Sequence, residues 1–161
     1  SGINEALFVN ADEKVKNTSL FHIARKEYHG ELIPPESDDF TSTDNLFNYQ
    51  AKIIRELAAT RNCVIVGRCA DYVLRHRNPL RLFFYADIAD RMERCRKRNE
   101  EQKSLNHDVL RKIITQTDKN RSRYYEFLSG QKWGAKENYD LCINTSSADT
   151  EKIIQCVISL L

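Results

Sequence analysis

Arg68 directly follows Gly67 at the end of the apolar run Cys63-Val64-Ile65-Val66, and this is the pair in the sequence best suited to holding an anion. Glycine permits a tight turn or a close backbone approach. The guanidinium of Arg68 then presents a planar fork of donors that matches a phosphate bidentately. Asp71, three residues on, offers the competing possibility of an ion pair with Arg68 that caps the following helix. A second concentration, Asp118-Lys119-Asn120-Arg121-Ser122-Arg123-Tyr124-Tyr125, falls where an amphipathic pattern loses its apolar stripe. Asp118 and Arg121 can reach one space, and Lys119 with Arg123 forms a second pair at helical spacing. Cations neutralise phosphate charge while a carboxylate accepts from a hydroxyl or an amine, so this set suits a ligand carrying both phosphates and a ribose. An ordinary network of surface ion pairs is the competing reading. Arg91, Arg94 and Arg98 recur on one helix face. Such a run is usually a solvated surface, but this one begins at the carboxyl end of an apolar run.

Other chemistries find no carrier. His22, His29, His76 and His107 have no metal-ligand spacing, and no Ser-His-Asp or Cys-His arrangement is recognisable. The five cysteines, at 63, 69, 95, 142 and 156, contain no Cys-x-x-Cys pair. That usage fits a reducing cytoplasm, with Cys63 and Cys142 expected as small buried hydrophobes in their apolar runs. Tyr124, Tyr125, Phe127 and Trp133 cluster around Gly130 and are read as packing the base of a loop rather than stacking on a base.

The elements that must position these groups follow from periodicity. Residues 1–43 are irregular, broken at Pro34-Pro35, and are read as short helices and a mobile loop. From Thr43 or Asp44, either a good N-cap, the residues Leu46, Phe47, Ile53, Ile54 and Leu57 recur at helical spacing. Continuous apolarity over 63–66 predicts a strand covered on both faces, as in a parallel sheet. A helix over about 70–75 follows, then a second buried strand over 80–86. Residues 88–103 make a very polar helix striped by Ile88, Met92 and Cys95, and Ser104 or Asn106 caps the next helix, lined by Val109, Leu110, Ile113 and Ile114. Residues 139–144 give a third strand, and Ser147 or Asp149 caps a last helix whose Ile153, Ile154, Val157, Ile158 and Leu161 are expected to face the core. Alternating helix and strand is the pattern of right-handed crossovers on a parallel sheet, so the expected class is a three-layer α/β/α domain. Three strands make a small sheet for this class. The chain opens at Ser1-Gly2-Ile3, without methionine, and further strands are expected ahead of it.

With 41% hydrophobic and 30% charged side chains over 161 residues, one ordinary core is affordable and disorder is excluded by composition. A net charge of +2 gives no reason to expect nucleic acid or a membrane surface as partner. No apolar run approaches a membrane span, and no basic-then-apolar leader is present.

Taken together, CVIVGRCADYVLR (63–75), LRLFFYA, RMERCRKR, TDKNRSRYY (117–125) and WGAKENYDLCINTS (133–146) resemble the cytidylate kinase-like proteins, which are P-loop NTPases of the nucleoside monophosphate kinase type. The resemblance implies transfer of the γ-phosphoryl group of ATP, with Mg2+, to CMP, dCMP or a similar acceptor. In cytidylate kinases a strand-end Gly-Arg-Asp binds the acceptor phosphate. Gly67-Arg68 matches its first two residues, Cys69 stands in the third place, and Asp71 is the candidate replacement for the carboxylate. Asp118 and Arg121 match an Asp-x-x-Arg of the lid, the acid toward the acceptor's sugar and base and the arginine on phosphate. On this basis Arg121 and Lys119 are the expected catalytic cations, Arg68, Asp71, Asp118 and Arg123 the acceptor-binding residues, and Arg91 and Arg94 the donor-binding residues. A metal ligand set is not identified. The resemblance further implies one kinase-like domain, with 1–61 as acceptor-side helices and loop, 62–98 and 135–161 as sheet core, and 99–134 as lid. Nothing in the chain matches G-x-x-x-x-G-K-[ST], and its five glycines are dispersed. The P-loop is expected ahead of Ser1, and these residues alone are not expected to transfer phosphate. A non-catalytic nucleotide-binding or regulatory domain, and a related small-molecule kinase with another acceptor, are the alternatives.

Overall fold

A computed structural model describes residues 43–161 apart from Asn99, together with Leu32 and Pro34. The expected short helices and loop of residues 1–43 lie, but for these, outside the described residues. The chain divides into two compact units, Ser1–Pro79 with Asn120–Trp133, and Leu80–Lys119 with Gly134–Leu161.

In the first unit, helix α1 (Thr43–Thr60) buries Leu46, Phe47, Ala51 and Ile54 of the face that its periodicity marks out, whereas Ile53, expected on that face, is exposed at its edge. Phe47, Ala51 and Ile54 pack on Cys69, Ala70, Val73 and Leu74, and on Tyr124 and Tyr125. Burying one such aliphatic or aromatic side chain contributes roughly 1.5–3 kcal/mol. The buried Tyr124 keeps its polar tip satisfied by donating from Oη to Gln50 Oε1 at 3.0 Å. Helix α2 is short, Ala70–Val73, and passes through Leu74 into a single 3-10 turn, Arg75–Arg77. Asn78 then takes a left-handed conformation ahead of Pro79, which ends the segment.

The strand expected over 63–66 is not formed. These residues have no ladder partner among the described residues, and Val64 is 94% and Val66 88% exposed. Only Ile65 packs against the core. Cys63, expected inside, is exposed for the same reason. A β-branched run favours extended backbone, but it becomes a strand only when its N–H and C=O groups meet another chain segment.

In the second unit, β1 (Leu82–Tyr85) and β2 (Leu141–Asn144) form a parallel two-stranded sheet with Leu82 opposite Leu141 and Tyr85 opposite Asn144. The residues just before each strand set this register. Arg81 donates to the Asp140 carboxylate from its backbone N–H at 2.7 Å, from Nε at 3.1 Å and from Nη2 at 2.7 Å. In return the Asp140 N–H donates to Arg81 O at 2.9 Å. The connection from β1 to β2 begins with α3 (Ile88–Arg98) and α4 (Glu100–Lys103), followed by α5 (His107–Ser129), whose first part belongs to this unit. Asn106 caps α5 by accepting from the Asp108 N–H at 2.9 Å. Met92, Leu110 and Ile114 form the local core, with Ile88, Cys95 and Leu105 against it.

A 3-10 turn, Lys136–Asn138, leads into β2, and Asp149 caps α6 (Thr150–Ile158) by accepting from Glu151 and Lys152 N–H, but Ile154, Ile158 and Leu161, expected to face the core, are exposed, with no described segment covering them. Ahead of that turn Gly134 has φ +73 and lies flush against the Phe83 ring, where a Cβ would come within 2.9 Å of Cζ. The described residues thus comprise helices and a small parallel two-stranded sheet, consistent with an α/β fold. No described helix is long and apolar enough to cross a membrane.

Candidate functional site

In open parallel sheets ligands meet the carboxyl ends of the strands, and in the second unit those ends are densely wired. The β1 terminus, Tyr85 O, accepts from the Thr145 N–H at 2.8 Å and from Thr145 Oγ1 at 3.1 Å. Ser146 Oγ accepts from the Asp87 N–H at 2.7 Å, and Asn144 Oδ1 accepts from the Ser146 N–H at 2.9 Å. Arg94, in the second turn of α3, reaches this knot. Its Nη1 donates to Thr145 Oγ1 at 3.0 Å and its Nη2 to Thr145 O at 2.8 Å.

Arg91, one turn earlier, is engaged differently. Its Nη1 and Nη2 donate to the two carboxylate oxygens of Asp118 at 2.6 and 2.7 Å, a bidentate pair joining α3 to α5. The two side chains retain 31% and 27% exposure. The Asp118 hydrogen bonds raise the Arg91 pKa further, against an opposing effect of burial, so the guanidinium stays charged at any working pH. Lys119, next along α5, is exposed.

The first unit carries the other candidates. Gly67, Arg68 and Cys69 are three consecutive residues with left-handed backbone, at φ 74, 59 and 53, closed by the Ala70 N–H donating to Gly67 O at 3.1 Å. Two of the three bear a Cβ, and each non-glycine residue held there costs about 1–2 kcal/mol. Cys69 is 4% exposed, so its thiol belongs to the core. Asp71 Oδ2 accepts from Tyr125 Oη at 2.6 Å, and Gln131 Oε1 lies 3.1 Å from the same hydroxyl. Arg68 is half-buried, while Arg121 and Arg123 are exposed on the second part of α5.

Two pairings of sequence candidates therefore stand out. Arg91 and Asp118, assigned by the resemblance to the donor and acceptor sides, hold each other. Asp71 is held by a buried tyrosine that sequence reasoning had placed among loop-packing aromatics. Thr145 and Ser146 close the motif 133–146 but carry no role in the sequence reading, although they directly follow an apolar strand, the same signal that marks Arg68. Among the described residues no three His, Cys, Asp or Glu side chains gather into a cation site.

These features are consistent with an α/β protein in which Arg94 is tied at the carboxyl ends of two parallel strands. The chain belongs to the cytidylate kinase-like family, whose model matches residues 1–147. Family membership indicates a nucleotide-kinase-like, phosphotransferase type of function. Among solved structures, the crystal structure of an uncharacterized protein from Eubacterium ventriosum ATCC 27560 is similar, at 25% identity and TM-score 0.64, covering 76% of this chain and 73% of that one. No curated protein matches the chain.

Proposed function

We propose that these residues supply the acceptor-binding and lid side of a nucleoside monophosphate kinase, which transfers the γ-phosphoryl group of ATP to CMP, dCMP or a similar acceptor. The observation that carries this reading is the left-handed turn over Gly67-Arg68-Cys69. Backbone strain on two side-chain-bearing residues persists only where the surroundings over-determine it, and such strain gathers at ligand sites. The turn coincides with the Gly-Arg whose chemistry fits an acceptor phosphate.

In the same reading, Arg68, Asp71, Asp118 and Arg123 serve the acceptor, Arg91 and Arg94 the donor, and Lys119 and Arg121 the transferring group. Phosphoryl transfer passes through a loose transition state, so the cations act by neutralising charge and orienting oxygens, with no covalent intermediate on the protein. Lid closure by residues 99–134 would exclude water. The parallel strands would belong to a three-layer P-loop domain, with residues 1–61 on the acceptor side and 62–98 and 135–161 as sheet core. ATP would bring Mg2+ on its phosphates, where it offsets their charge. Among the described residues no acidic cluster fits it as a protein ligand set. A cytoplasmic setting accords with five free cysteines.

Cys69 favours a second reading. With a buried thiol in the third place of Gly-Arg-Asp and the Asp71 carboxylate engaged by Tyr125, base recognition need not follow cytidylate kinases, and another small acceptor fits equally. Calorimetric titration of the chain with CMP, dCMP, AMP and GMP separates the two. Expected is binding of a cytosine nucleotide that Arg68→Ala weakens at least about tenfold, the order expected for a charge-assisted hydrogen-bond pair, with little change in melting temperature. Binding of every nucleotide unaltered by Arg68→Ala would remove that residue from the site. Phosphoryl transfer is tested in parallel with the protein encoded by the complete reading frame.

A further inference from the structure

Arg94 is fixed by Thr145, which lies in the motif 133–146 but to which neither spacing nor the family resemblance assigns a role. Thr145 has one hydroxyl proton and spare lone pairs, and the geometry uses both. The hydroxyl donates to Tyr85 O at 3.1 Å and accepts from Arg94 Nη1 at 3.0 Å, while the Thr145 carbonyl accepts from Arg94 Nη2 at 2.8 Å. The Thr145 N–H is itself anchored on Tyr85 O at 2.8 Å. A flexible, exposed side chain is thereby seated on the ends of both parallel strands.

The seat leaves capacity for a ligand. A guanidinium has five N–H donors, two are engaged by Thr145, and among the described residues the other three meet no acceptor. No carboxylate among the described residues pairs with Arg94. Its neighbour Arg91 provides the contrast, because its fork is occupied by both oxygens of Asp118. Among the described residues, Arg94 is the cation of the two whose charge is not already balanced by an acid.

We infer that Thr145 is a positioning residue that holds Arg94 at the carboxyl ends of β1 and β2, with its remaining donors presented to a phosphate of the donor nucleotide. The inference rests on the donor-side reading of Arg94. Pre-organising the fork matters because an arginine free to sample many rotamers loses that entropy on binding, whereas a seated one has lost it on folding.

The test measures binding of ATP and of tripolyphosphate to the full chain by calorimetry, with melting curves alongside. Arg94→Ala is expected to weaken both ligands. Thr145→Val, which removes the hydroxyl and keeps the shape, is expected to weaken both roughly three- to tenfold, the value of one hydrogen bond. Thr145→Ser restores affinity, and Thr145→Val adds nothing in the Arg94→Ala background. Full affinity in Thr145→Val alongside weak binding in Arg94→Ala overturns the positioning role and leaves the donor reading intact. Unchanged binding in Arg94→Ala overturns both. Additive losses in the double variant also overturn the positioning role. Should Thr145→Val fail to fold, the native chain suffices. A seated Arg94 gives resolved, slowly exchanging guanidinium Nη signals in NMR spectra, assigned by their loss in Arg94→Lys, and averaged signals refute the seat.

Discussion

The Arg91–Asp118 pair allows a prediction with a worked magnitude. The perturbations are Arg91→Ala, Asp118→Ala and the two combined. Exposed ion pairs couple by about 0.2–1 kcal/mol, and removing one partner of a fully buried pair costs about 3–5 kcal/mol. With two charge-assisted bonds at 2.6 and 2.7 Å and side chains 31% and 27% exposed, this pair lies between those limits. A coupling energy of about 1–2 kcal/mol is expected from the double-mutant cycle. For a chain of this length that corresponds to about 2–8 °C in melting temperature for either single variant. The assay is urea and thermal unfolding followed by far-UV circular dichroism on all four proteins. Because the guanidinium keeps its charge, the coupling should be the same at pH 7 and pH 9. A coupling below about 0.3 kcal/mol, within the scatter of additive sites, would refute the view that the pair ties α3 to α5.

Two further perturbations test the frame around the strands. Hydrogen bonds from the Arg81 guanidinium, and then from its backbone N–H, hold the Asp140 carboxyl below the usual carboxylate range. A depressed folded pKa stabilises above the unfolded value, about 4, and that stability disappears as pH falls through the lower folded value. Asp140→Asn should therefore be less stable than wild type at pH 7, with the gap closing toward pH 2 in acid-unfolding curves; a gap constant with pH would contradict this. Gly134→Ala should cost about 2–4 kcal/mol in thermal unfolding, from left-handed strain and from a Cβ placed 2.9 Å from Phe83 Cζ. Combining it with Phe83→Leu should relieve only the steric part, and full recovery would show that the backbone conformation carries no strain.

Much of this architecture was readable because it is local. The apolar runs around Leu82–Tyr85 and Leu141–Asn144 are strands, the α1 and α5 stripes are helices, and of the alternative caps considered Asn106 and Asp149 are used. The run at 63–66 reads identically to the other two strands, yet Val64 and Val66 are exposed. Apolarity reports what a segment could pair with, and the identity of a partner is not written in the segment itself. The candidate site shows the same division. Arg68 and Asp118 are marked by composition and place, whereas the Arg91–Asp118 bond spans 27 residues and no spacing rule reaches that far. Thr145 escaped because a hydroxyl residue after a strand is common, and only its contact with Arg94 distinguishes it.

The two strands meet over four residue pairs, and they are fastened at both extremities, by Arg81 with Asp140 below and by Thr145 with Tyr85 above. Sliding one strand by a single position would turn every side chain to the opposite surface and would break both fastenings together. So short a ribbon has little cohesion of its own, yet slippage is closed to it. The arginine that leans on its upper end inherits that fixity without needing a larger sheet.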